Sequence, residues 1–162
     1  MTIKKLFFVL SFFISTITLK AQNKDYVFYK SKSDMSKHEW ILLLPGSSGL
    51  NIFEDSTFYY RKAEYLNQIG FDILLLDYKA FYQSSTLTNK PKGSTGEKIS
   101  WVVKQVIQIA KTNRHIEQVN NGHIIGWSLA GEGVFKLLKD TAFISESKIS
   151  SVALFYPSNN EK

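Results

Sequence analysis

Continuous apolar runs alternate with amphipathic stretches along this chain, and that alternation limits the folds open to it. WILLL (40–44), stopped by Pro45 and Gly46, and ILLL (73–76) within FDILLLDY offer no polar residue to face water. Such runs suit strands buried on both faces of a parallel sheet. Between them, STFYYRKAEYLNQI (56–69) places Tyr59, Ala63 and Leu66 at helical spacing, with Asp55 or Ser56 as N-cap and Gly70 just past the end. STGEKISWVVKQVIQIAKTNR (94–114) carries Ile99, Val102, Val103, Val106, Ile109 and Ala110 on one stripe and opens on a Ser94/Glu97 capping box. HIIGW (123–127), LAGEGVFKLLKD (129–140) and ISSVALFYP (149–157) then read as strand, helix and strand. The order predicts an α/β domain with a mostly parallel sheet and flanking helices. Ahead of it, DYVFYKS (25–31) alternates like a half-buried strand, and QSSTLTNKPKGST (83–95) reads as a surface loop.

The first residues belong to a different class. MTIKKLFFVLSFFISTITLKAQN has Lys4 and Lys5, an apolar run over 6–19 and a small residue at Ala21, the order of a secretory signal peptide. The run is shorter than the roughly 20 residues of a membrane span and is broken by Ser11, Ser15, Thr16 and Thr18. Residues 1–21 are therefore expected to be cleaved, leaving no stable membrane anchor and a chain exported to a bacterial periplasm or beyond. Cleavage lowers the formal charge from +6 to +3, since 17 basic residues then face 14 acidic ones. The basic balance is mostly a targeting effect and gives no reason to expect a nucleic-acid partner. The absence of cysteine excludes a thiol nucleophile and disulfides. The remaining 22–162 suffice for one domain.

The chemistry concentrates in HIIGWSLAGEG (123–133). A strand that turns sharply into a helix strains the residue at the bend and brings the residues two before and two after it together, so both must be small. Here they are Gly126 and Ala130, with Ser128 at the bend. The turn exposes the Ser128 hydroxyl over the positive end of the next helix and aims the Leu129 amide at an oxyanion on an attacked carbonyl. A second amide is available from Ser47 or Ser48 in PGSSGL, which leaves the same sheet edge. KGSTGEKIS (92–100) is only superficially a phosphate loop: its glycines are too close together and a loop precedes it, so it reads as a helix start.

LLLPGSSGL, LNQIGFDILLLDY, GWSLAGEG and VALFYP in succession resemble the N-terminal two-thirds of an α/β hydrolase of the dienelactone hydrolase type, over about 40–157. The resemblance implies esterase-like acyl transfer to water from a small-molecule ester or acyl substrate, without metal or cofactor. Ser128 is then the nucleophile, and Leu129 and Ser47 supply the oxyanion amides. Ser48, Trp127 and Phe53 are the candidate substrate contacts; Phe53, Phe58, Tyr59, Phe81 and Tyr82 could line an apolar pocket, although aromatics so placed more often pack in the core or on a helix face. Two residues depart from the pattern: Ala130 replaces a second glycine, and Pro45 stands where many relatives have histidine.

A serine nucleophile needs a histidine base oriented by a carboxylate. His38, His115 and His123 all fall at the sheet edge opposite Ser128; His123 is five residues upstream along a strand, roughly 16 Å away. Asp77 reads as a strand-end residue bonding nearby backbone. In the α/β-hydrolase order the acid and histidine follow the nucleophile, here beyond SVALFYP. The expectation is a chain truncated before the last strands, or a non-catalytic binding protein that keeps the elbow as scaffold.

Overall fold

In a computed structural model, residues 20–22, 25–32, 34–52, 54–117 and 120–157 are described. The expected signal segment lies almost wholly outside them. Six strands form one sheet in the order β1-β2-β4-β3-β5-β6: β1 (Lys20–Gln22), β2 (Tyr26–Tyr29), β3 (Glu39–Leu44), β4 (Asp72–Leu76), β5 (Asn121–Trp127) and β6 (Ile149–Phe155). β4, β3, β5 and β6 run parallel; β2 pairs antiparallel with β4, and β1 with β2. This is the α/β, mostly parallel architecture that the alternation predicts.

Period-two burial splits each central strand between two cores. Trp40, Leu42, Leu44, Leu74 and Leu76 face α2 (Tyr78–Ser84), α3 (Thr95–Thr112) and α4 (Ala130–Leu138). Ile41, Leu43, Ile73 and Leu75 face α1 (Phe58–Gln68) through Tyr59 and Ala63. Full burial of each large side chain stabilises by about 1.5–3 kcal/mol before the entropy of ordering it is counted.

Several local expectations shift. β2 is buried on both faces rather than half-buried, because Tyr26 and Phe28 join one core and Val27 and Tyr29 the other. α1 begins one residue after the expected Ser56 cap, with Thr57 as N-cap; the Asp55 carboxylate instead accepts from the Thr57 amide and hydroxyl and pairs with Arg61. α2 occupies the start of the expected surface loop, and the expected helix over 129–140 is followed by a separate one, α5 (Thr141–Glu146), which starts on its own cap, Asp140. On the α3 stripe Ile107 is fully buried, while Ile109 is only partly so. The Ser94/Glu97 capping box forms, and KGSTGEKIS is indeed a helix start.

β6 is one edge of the described sheet and β1 the other. Val152 and Leu154 pack on the α3/α4 core, whereas Ser151, Ala153 and Phe155 on its other face are exposed.

Candidate active site

Ser128 follows β5 directly and has φ +48°, in the left-handed region that a non-glycine residue adopts only under constraint. Three interactions supply the constraint. Its N–H donates to the Phe155 carbonyl of β6 at 2.9 Å, and its own carbonyl accepts from Gly131 at 2.9 Å as α4 begins. The third is close packing: a Cβ added to Gly126 would lie 3.3 Å from the Ala130 Cβ and 3.1 Å from Leu154 Cδ2, so small residues two before and two after Ser128 are required. The first amides of α4 have no carbonyl partner within the helix, which leaves the Leu129 end electropositive.

The loop after β3 lies against this turn. A Cβ on Gly46 would sit 3.2 Å from the Ser128 Cβ and 3.9 Å from its Oγ. Gly46 is also tied down. Its N–H donates to the Tyr59 hydroxyl at 3.2 Å, and its carbonyl accepts from the Tyr78 hydroxyl at 3.0 Å and from Gly49 N–H at 3.1 Å. The Lys79 ammonium donates to the Ser47 carbonyl. Burial pushes both phenol pKa values up, reinforced at Tyr78 by the neighbouring Asp77 carboxylate and opposed at Tyr59 by the Gly46 N–H. Both hydroxyls therefore stay protonated.

A cavity of about 660 Å³ opens beside Ser128, Gly46, Ser47 and Ser48. Its wall is a connected set of rings. Trp127 stands edge-on to Tyr59 (5.2 Å) and Phe58 (6.3 Å) and stacks on Phe155 at 5.4 Å. Asp55 also lines it, its carboxyl held down at about 2 by hydrogen bonds from the Thr57 hydroxyl, Arg61 and the Thr57 amide. Phe53 lies outside the described residues. Phe81 and Tyr82 do not line this cavity: Phe81 is buried in the core on the other side of the sheet, and Tyr82 packs edge-on to Trp101. Phe155 and Tyr156, at the end of β6, line it without having been singled out in the sequence.

None of the three histidines adjoins Ser128. His123 is in register with Ile41 near the start of β5; its Nδ1 is 2.8 Å from Ser151 Oγ and its Nε2 3.5 Å from the Glu39 carboxylate. That row has the side chains of a relay, but Ser151 lies within a strand, with no turn or helix N-terminus behind it. His115 stacks on Phe28, and burial, helped by Lys30, pushes its pKa down. His38 precedes β3, opposite the end that leads to Gly46. Asp77 caps α2, accepting from the Lys79 and Ala80 amides at 3.1 and 3.0 Å, so it does bond nearby backbone. Among the described residues no cluster of histidine and carboxylates is arranged to hold a metal ion.

No protein-family model and no curated protein matches the chain. Among solved structures it is similar to a sugar hydrolase (YeeB) from Lactococcus lactis, at 18% identity and a TM-score of 0.48, covering 86% of this chain and 53% of that one. It is also similar to the carboxylesterase Cest-2923 from Lactobacillus plantarum WCFS1, at 15% identity and a TM-score of 0.47, covering 86% of this chain and 56% of that one. The chain thus spans little more than half the length of these two proteins.

Proposed function

We propose that this chain is the nucleophile-bearing part of an exported serine hydrolase of the α/β-hydrolase type, related to the dienelactone hydrolases, that transfers an acyl group from an ester to water. The observation that carries the reading is Ser128, held at positive φ between β5 and α4 with the Gly46 loop packed against it. In the reaction Ser128 Oγ attacks the ester carbonyl carbon and gives its proton to a general base. The N–H groups of Leu129 and Ser47 receive the oxyanion, the alcohol departs with a proton, and water releases the acyl group. Trp127, Phe58 and Ser48 form the wall that accommodates an apolar or aryl substituent. His38, His115 and His123 all lie away from Ser128, so the reading requires a base from outside residues 25–157.

That same placement of the histidines favours one competing reading, a binding protein that keeps the elbow without catalysis. A serine-directed fluorophosphonate probe on the protein made from the complete gene separates them. Labelling that disappears in Ser128→Ala is the expected result. Absence of labelling, or labelling unchanged in Ser128→Ala, refutes the hydrolase.

A further inference from the structure

We infer that Tyr78 is a positioning residue for the oxyanion site: by donating to the Gly46 carbonyl, its hydroxyl sets the direction and the donor strength of the Ser47 N–H. The inference rests on the reading of Ser128 as nucleophile.

A trans peptide points its C=O and N–H in opposite directions, so whatever fixes the Gly46 carbonyl also aims the Ser47 amide. Tyr78 is suited to fix it. Its side chain is 3% exposed and packed in the core with Phe81, so the hydroxyl has little freedom, and it reaches the carbonyl at 3.0 Å. The Gly49 N–H meets the same oxygen at 3.1 Å, closing a turn over 46–49. Two donors on one carbonyl polarise the peptide and strengthen its N–H as a donor to a developing negative charge.

The neighbouring peptides are held separately, Gly46 N–H by the Tyr59 hydroxyl and the Ser47 carbonyl by Lys79. Pro45 has no N–H with which to anchor the loop from its other side. The loop already touches Ser128, a Cβ on Gly46 falling 3.2 Å from the serine's own, so rotation of the 46–47 peptide is not offset by moving the loop closer. Tyr78 touches no substrate and acts only through the peptide it holds.

The test is binding of phenylboronic acid to the protein made from the complete gene, followed by 1H–15N NMR. Ser128 Oγ adds to trigonal boron and its proton goes to solvent, giving an anionic tetrahedral boronate with no leaving group. In the unmodified protein the adduct forms and the Ser47 amide moves downfield. Tyr78→Phe keeps the ring and loses the hydroxyl. It is expected to weaken boronate binding about tenfold, a part of the 10²–10³ that a complete oxyanion donor contributes, and to shrink the Ser47 shift.

Tyr59→Phe removes a hydroxyl bonded to the same glycine on the preceding peptide and serves as the comparison. Lys79 is exposed, so Lys79→Met folds whatever the fate of Tyr78→Phe; its effect should centre on the Ser48 amide. Unchanged affinity and Ser47 shift in Tyr78→Phe, or equal losses in Tyr78→Phe and Tyr59→Phe, overturn the inference, as does a Lys79→Met effect centred on Ser47. If the unmodified protein forms no adduct at Ser128, the nucleophile reading falls and this inference with it.

Discussion

Replacing Ser128 by glycine should stabilise the protein relative to replacing it by alanine. Both substitutions remove the hydroxyl, so its loss cancels in the comparison, and what remains is the backbone. At φ +48° a residue with a Cβ pays a steric cost of about 1–2 kcal/mol that glycine does not. Glycine gives back about 0.5–1 kcal/mol through the greater freedom of its unfolded chain. The balance is about 0.5–1 kcal/mol in favour of Ser128→Gly, or roughly 2–3 °C in Tm for a domain of this size. Urea and thermal unfolding of the two variants, followed by circular dichroism, give the difference directly. A glycine variant no more stable than the alanine variant would show that the turn holds no strain at Ser128, and would remove the structural argument for an elbow there.

Valine at Gly133 is expected to destabilise by about 2–3 kcal/mol, read from the urea midpoint, since a Cβ there would fall 2.2 Å from Ile99 Cγ2 and 2.4 Å from Ile99 Cβ, at the branch point and not at a free end. Ser94→Ala should cost about 1 kcal/mol by the same assay, through loss of the α3 capping box. Stability should fall as the pH drops below about 6.5: His115 has a depressed pKa in the folded chain, so the unfolded chain takes up its proton first. His115→Phe, which keeps a ring against Phe28, should flatten that part of the profile. Lysine at the exposed Ala153 should suppress self-association of the chain in ultracentrifugation, because β6 presents a free edge among the described residues.

The parts of the fold that could be read from the sequence are those where one pattern had one structural solution. The runs ending at Leu44 and Leu76 are too apolar for anything but strands covered on both faces, and both are. YVFY at 26–29 misled because all four residues are apolar or aromatic; alternation in size is not alternation in polarity, and both faces are buried. α2 has seven residues, too few for a periodic stripe, and is set up by the Asp77 cap. The turn at Ser128 was legible because its neighbours must be small, a constraint written into Gly126 and Ala130. The phenols at Gly46 were not. Tyr59 and Tyr78 reach it across 13 and 32 residues, and a hydroxyl that bonds distant backbone leaves no spacing to detect. Phe81 and Tyr82 could by sequence line the pocket or pack in the core, and α2 carries them to the core on the opposite face of the sheet.

The hydrogen bond from Ser128 N–H to Phe155 gives the protein a reporter of its own integrity. Phe155 is the last residue of an edge strand, where fraying costs less free energy than inside the sheet. Each time that end opens, the serine's amide loses its acceptor and exchanges its hydrogen with solvent. The exchange rate of this one amide therefore measures how often the bend is released, and any segment or partner that lies along β6 would slow it without touching the serine.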